Sequence, residues 1–371
     1  MVLHRLIERL DRAIGIAADP LQREHLKAER AGALARLGLL SDARFALCGL
    51  RAQNLRHKDA VLSAWISLVE GQADHFDTVA PTSANKFQKA LEVAESVGHV
   101  QMQALASAWL ANCAFNAGDV SAMIHYATAA LNRSSPDQHA ARARVGVVLA
   151  DAYRCIDDDA SAHAWYLRAR AHATADGDSS MISVMLHNIS AMRSSQIALA
   201  DAFGRADVEL ARKALLEAES VANYDWGTGV ASLSAMVPVI RAQLLVTLSR
   251  FEEAVGLFDE HLDRARSEGM ARRGARLLAD RAWCQVRLGR VAHAWADAAA
   301  AEAAVRDQRD ADDRAAAYAR LARIHRHGGR EADADRLQAE AARALAEYET
   351  YQLQTRRALN EALDGLGQYE K

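Results

Sequence analysis

Small and large apolar residues recur along the chain in a single frame. A small residue sits mid-segment, a turn residue follows seven positions later, and a second small residue follows at twelve. Ala31, Gly38, Leu40, Ala43, Leu47 and Leu50 set this frame. It returns at Ala111, Gly118, Met123, Ala127 and Ala130, and at Ala150, Tyr153, Asp157, Ala162, Tyr166 and Ala169. Further copies run through Ala242, Ser249, Phe251, Ala254 and Phe258, through Ala282, Gly289, Val291, Ala294, Ala298 and Ala301, and through Ala322, Gly329, Ala334 and Ala341. Small residues facing each other across a tight turn predict an antiparallel helix pair whose backbones approach closely. The turn needs a residue that tolerates positive φ, hence Gly at four of the six turns. Large residues such as Tyr153, Tyr166, Phe251 and Phe258 fill the gaps between pairs. Each pair keeps an unsatisfied apolar side, so pairs must stack.

The second small residues fall at 43, 83, 123, 162, 211, 254, 294 and 334, a period near 40. Two repeats are irregular. In the second, a helix over about 58–71 is followed by "QADHFDTVAPTSAN", which reads as an inserted loop, with Pro81 at the start of the next helix and Phe87 and Ala90 packing. In the fifth, an apolar stretch at 181–203 precedes a helix at 207–221, and "NYDWGTG" at 223–229 reads as a loop. Pro20, Pro81 and Pro136 fall between helices. Pro238 lies inside the run 230–248 and either starts that helix late or kinks it. Residues 331–364 hold no Gly or Pro and read as one long helix. Leu345, Tyr348, Gln352, Thr355, Leu359, Ala362 and Leu366 follow a 3-4 spacing. That spacing suits either a heptad seam, giving a homodimer through 345–366, or a cap over the last repeat.

This layout resembles the tetratricopeptide (TPR) repeat, best in "LADAYRCIDDDASAHAWYLRA" at 149–169 and "RAQLLVTLSRFEEAVGLFDEHL" at 241–262. The resemblance covers roughly 22–345. It departs from the standard pattern in its long period, against about 34 for the usual repeat, and in mostly lacking a proline after each pair. Long repeats of this kind are similar to TPR arrays of bacterial signalling and regulatory proteins. The resemblance implies an all-α, right-handed solenoid of about eight helix pairs with a long C-terminal helix. It divides the chain into an N-terminal capping helix (1–20), the array (21–345) and a C-terminal helix (346–371), cap or coiled-coil connector. It also implies that the first helix of each pair lines a concave groove.

Composition agrees with helices. Alanine, the best helix former and a poor strand former, supplies 81 of 371 residues, against 4 prolines and 6% aromatics. That comes close to excluding sheet-based nucleotide-binding and hydrolase folds. A net charge of −3 argues against a nucleic-acid partner. No run of 18 uncharged apolar residues occurs, so no membrane partner is expected. The first 20 residues, with Arg5, Glu8, Arg9, Asp11 and Arg12, carry no signal peptide. Cys48, Cys113, Cys155 and Cys284 lie far apart with no CxxC, as expected of reduced thiols in the cytoplasm.

Signatures of catalysis are missing. There is no P-loop, no G-x-G-x-x-G, no G-x-S-x-G and no H-E-x-x-H. His325 and His327, two apart, lie on different faces of a helix, and "DDD" at 157–159 reads as a helix cap. We therefore expect no enzyme, no metal and no cofactor.

Register selects the groove candidates. Positions one, four and five after the mid-helix small residue, or three and six before it, mark His25, Trp65, Asn112, Asn116, Arg144, Asp151 and Arg154. In the irregular fifth repeat they suggest His187, Asn188 and Ser195. Further on come Gln243, Arg276, Trp283, Arg287, Arg323 and Arg326. Asn112, Asn116 and Arg154 suit an extended peptide backbone or a carboxylate, because Asn donates and accepts and Arg presents a fork. Trp65 and Trp283 are either partner anchors or inter-helix core. The polar candidates are either ligand contacts or a solvated face. The function expected is a non-catalytic scaffold that binds a protein or peptide in bacterial signalling. The alternatives are a sensor region related to those of diguanylate cyclases or histidine kinases, or a small-molecule-sensing solenoid with Tyr224 and Trp226 near its ligand.

Overall fold

A computed structural model describes residues 4–78, 82–232 and 234–363. Every regular element among them is helical. Helix α1 (Arg5–Ile16) precedes eight pairs. These are α2 (Pro20–Arg36) with α3 (Leu40–His57), α4 (Ala60–Thr78) with α5 (Thr82–Ser96), α6 (Val100–Asn116) with α7 (Val120–Arg133), and α8 (His139–Cys155) with α9 (Asp159–Asp176). Then come α10 (Ser179–Ala202) with α11 (Val208–Thr228), α12 (Met236–Thr247) with α13 (Phe251–Ser267), α14 (Gly274–Arg287) with α15 (Val291–Val305), and α16 (Ala311–His327) with α17 (Glu331–Leu363). A short 3-10 turn, Met270–Arg273, leads into α14. The fold is the expected all-α, TPR-like array.

The frame read from sequence is the frame of the contacts. Ala31, Ala111, Ala150, Ala242, Ala282 and Ala322 are buried, and so are Ala43, Met123, Ala162, Ala254, Ala294 and Ala334 twelve residues on. The turns are left-handed at all six places. Gly38, Gly118, Gly289 and Gly329 have φ of 83°, 68°, 71° and 72°. Asp157 and Ser249 adopt φ of 56° and 58° without being glycine. Asp158 then caps α9 by accepting from the Ser161 amide at 3.0 Å.

The chain forms two compact units. The first comprises Met1–Met185, Tyr224–Ser232 and Thr355–Lys371; the second comprises Leu186–Asn223 and Leu233–Gln354. In the first, α1 packs on α2 through Leu6, Leu10 and Ala33. Helices α2 and α4 pack on each other, as do α6 and α8. The core there runs from Leu62 and Leu68 through Phe87 and Trp109 to Val145, Leu149 and Tyr153. Leu359 of α17 is buried in the same core, and Arg356 donates to the Ile156 carbonyl. Thr355 is buried too. Those two seam positions are therefore filled within the chain, while Leu366 lies outside the described residues. In the second unit one core joins Val239, Leu244, Phe258, Leu277, Trp283, Leu321 and Leu337.

Two local expectations change, and at Pro238 one of the two alternatives holds. The loop expected after residue 71 is instead helix: α4 continues to Thr78, with Ala73 and Phe76 buried. Gly71 is a packing position, since a Cβ there would lie 2.6 Å from Cε1 of Phe87. Pro81 lies outside the described residues. The loop expected at 223–229 is also helical, because α11 runs to Thr228 before Gly229 turns the chain at φ 68°. Pro238 is the third residue of α12, in the first turn, where its missing N–H leaves no bond unmade. It starts the helix late and does not kink it.

Candidate functional site

The residue after the mid-helix small residue is a recurring position of the first helices. In the first unit this position holds Gly32, Gln72, Asn112 and Asp151; the last three are buried polar side chains where a plain helical core would be apolar. A Cβ at Gly32 would lie 2.4 Å from Oε1 of Gln72, so the glycine leaves room for that side chain as it stands. Asp151 accepts from the Tyr166 hydroxyl, and burial followed by the Asp151 charge pushes that phenol's pKa up. Gln72 Oε1 and Asn112 Nδ2 are sealed from solvent with no hydrogen-bond partner.

Arg144 lies on α8 in the same unit, 1% exposed. Its guanidinium carbon sits 4.0 Å from the centroid of the Trp109 ring on α6. The His75 ring meets Trp109 edge-on at 5.5 Å. Burial, then the Arg144 charge, push the His75 pKa down to about 3, so this ring is neutral. Nε and Nη2 of Arg144 are sealed and unpartnered. Burial first, then the nearby Arg36 charge, hold its pKa down to about 9. The adjacent carboxylate is already engaged: Asp178 accepts from Arg36 Nε at 3.1 Å and Nη2 at 2.9 Å, from the Ser180 hydroxyl, and from the Met181 amide at 3.1 Å. Burial works to raise the Asp178 pKa, but Arg36 and these hydrogen bonds keep it below the ordinary value.

The second unit solves the same problem differently. Arg276 Nη1 donates to Asp313 at 2.7 Å, and Nη2 to the Ser195 carbonyl at 2.5 Å. Arg320 Nε donates to Asp280 at 2.9 Å and Nη2 to Asp201 at 2.6 Å. Gln243 Nε2 also reaches Asp280, at 3.4 Å. Arg323 donates to the Asp201 carbonyl at 2.7 Å and lies 4.5 Å from the Trp283 centroid. Trp283 itself is buried in the core. These buried charges are paired with carboxylates of the chain, and Arg276 Nε, Arg320 Nη1 and Gln243 Oε1 are sealed without a hydrogen-bond partner.

The remaining candidates fall as follows. Trp65 is half-buried and packs against two core clusters of the first unit. Asn116 is half-buried, with partners of its own. Arg154 pairs with Asp159 at 2.9 Å. His187 is buried and Asn188 half-buried on α10, both engaged with neighbours. Arg287 is exposed, with its guanidinium 5.0 Å from the Phe251 ring centroid. Arg326 is exposed and ion-paired with Glu331 and Asp335. Tyr224 and Trp226 lie on α11, where Trp226 is 87% exposed.

Sequence reasoning missed Arg36, Gln72, Asp201, Asp280 and Arg320. The register rule itself selects two of them. Arg36 is five after Ala31, and Gln72 is one after Gly71 once that glycine is taken as the mid-helix residue. Asp280 and Arg320 stand two before their mid-helix alanines, an offset the rule omits. His325 is buried, with Nε2 2.6 Å from Glu302 and its ring edge-on to Trp295. Among the described residues no group of three or more His, Cys, Asp or Glu is placed to hold a metal ion. No described helix is long and apolar enough to cross a membrane.

No family model and no curated protein sequence matches the chain. A solved structure of a Rap protein complexed with competence and sporulation factor does match, with a TM-score of 0.52 at 11% identity. The match covers 93% of this chain and 92% of that one. At that identity the likeness is one of fold.

Proposed function

We propose that this protein is a non-catalytic regulatory scaffold of the bacterial cytoplasm that binds a peptide segment of a partner on the first helices of its pairs. The observation that carries the reading is the set of buried, unpartnered polar atoms in the first unit. Gln72 Oε1, Asn112 Nδ2 and Arg144 Nε and Nη2 stand on α4, α6 and α8. A buried polar group without a partner costs about 1–3 kcal/mol, and a scaffold tolerates such a cost where a ligand supplies the missing bonds. That set is one acceptor and three donors, and a peptide backbone offers both N–H and C=O groups to meet them. The fold shared with a Rap protein that holds a factor supports the reading. Four thiols with no disulfide are in keeping with a reducing compartment. In this reading α1 acts as the cap of the first pair.

The test is selection of a randomised pentapeptide pool on immobilised protein, read by mass spectrometry. Wild type should enrich a defined set of sequences, and Asn112→Ala should lose that set. A pool that passes through unselected would remove the peptide-binding reading.

A further inference from the structure

Helix α3 turns Ala43, Leu47 and Leu50 into the core. Its opposite face carries Phe45, Cys48, Ala52 and Leu55, all exposed, with Phe45 at 84% and Leu55 at 80%. A Cβ added at Gly49, on the same face, would meet nothing within 4 Å. The repeat itself does not ask for either large residue. Phe45 stands fourteen after the mid-helix Ala31, where the other five copies of the frame hold His125, Ala164, Gly256, Ala296 and Arg336. Leu55 stands twenty-four after Ala31, where those copies hold Ser, Thr, Arg, Arg and Ala. Along the stripe the spacing is three, four and three, the seam spacing of paired helices. It reads the same from either end, and so does the order of sizes: large, small, small, large. Charge is divided between the ends. Asp42 lies in the first turn, Arg56 in the last, and Lys58 is the C-cap. The flanking Arg44 and Arg51 are each tied to a carboxylate of α4, Asp77 and Glu70.

We propose that this face of α3 is a homodimer contact, in which two copies of the chain pair α3 on α3, antiparallel, about a two-fold axis level with residue 50. Phe45 then meets Leu55 of the second copy and Cys48 meets Ala52, and each pairing occurs twice, as a two-fold contact requires. The small residues at the centre let the two backbones approach closely. Phe45 and Leu55 close the ends, about 15 Å apart along the helix. The antiparallel arrangement also sets Asp42 of one copy opposite Lys58 of the other, whereas a parallel one would place like charges together. An unrelated partner has no need of a stripe that reads the same in both directions; a second copy does. The contact is one helix face, at the small end of specific interfaces, so the dimer is reversible, with roughly micromolar affinity or weaker. It uses the second helix of a pair and stands whether or not the first helices bind a peptide.

Sedimentation velocity of the full chain tests this over a concentration series reaching about 1 mM, the weak limit of a specific contact. Wild type should associate to a dimer. Phe45→Glu and Leu55→Arg should each weaken that dimer by about tenfold or more. Both positions are exposed, so the fold should survive, and circular dichroism checks it. An equimolar mixture of the two variants should recover a dimer. In it the introduced glutamate meets the introduced arginine at one end, while Leu55 meets Phe45 at the other. Oxidised glutathione should link Ala52→Cys into a dimer through position 48 of one copy and position 52 of the other, with 48–48 and 52–52 links minor. Wild type that stays monomeric throughout overturns the proposal, and so does a dimer that neither variant weakens. Variants that weaken the dimer without recovery in the mixture overturn the antiparallel pairing, as does a 48–48 link as the main product. The wild-type series and the Ala52→Cys link decide the matter even if a charged variant fails to fold.

Discussion

Replacing Arg144 by methionine should stabilise the protein. The side chain is buried, and its pKa is pushed down from the ordinary arginine value to about 9. At about 1.4 kcal/mol per tenfold change in proton affinity, keeping it charged costs on the order of 5 kcal/mol. The Trp109 ring at 4.0 Å returns about 2 kcal/mol of that. Methionine keeps the length of the stem and its packing on Trp109 while removing the charge. Arg144→Met should therefore raise the unfolding free energy by about 1–3 kcal/mol, in the range seen when buried charges give way to apolar groups. The opposite is expected of Arg320→Met, which leaves Asp280 to the Gln243 amide and Asp201 to Arg323 at 3.7 Å. That loss should cost about 3–5 kcal/mol. Urea unfolding followed by circular dichroism reads both midpoints. If Arg144→Met falls as far as Arg320→Met, Arg144 has a carboxylate partner in the free protein and the reasoning fails.

Other perturbations follow from particular positions. Ser249 holds φ 58°, where a side chain is strained, so Ser249→Gly should gain about 1 kcal/mol and a higher Tm. Gly71→Ala drives a Cβ into the fully buried Phe87 ring; it should cost about 1–3 kcal/mol despite alanine's better helix propensity, measured by thermal unfolding. The folded-state pKa of His75 lies below its unfolded value of 6.5, so the unfolded chain binds more protons in that window. Stability contributed by neutral His75 is complete above pH 6.5 and falls as pH drops below it. The midpoint of His75→Gln should change less than that of wild type between pH 7.5 and pH 5, and a parallel decline would contradict the burial argument.

The frame of the fold was legible because two physical demands repeat in it. Close helix approach asks for a small residue, and a tight turn asks for positive φ, so Ala282 and Gly289 can be read without coordinates. Asp157 and Ser249 show the limit, since φ there follows from the position and the residue adapts to it. The lengths of α4 and α11 were not legible. Gly71 and Gly227 look like breakers in a linear reading, yet tertiary packing carries the helix through both. The site was legible in register and not in pairing. Asn112, Arg144, Asp151 and Gln243 stand where the repeat puts them. Whether a buried arginine is already paired depends on residues far apart in sequence, such as Asp201 with Arg320 or Asp178 with Arg36. A single sequence holds no signal for that.

The most direct test is a crystal structure of the protein with a peptide enriched from the pentapeptide pool. The account predicts the peptide on α4, α6 and α8, with Gln72, Asn112 and Arg144 supplying hydrogen bonds to it. A peptide seated elsewhere, with those atoms still unpartnered, would contradict it.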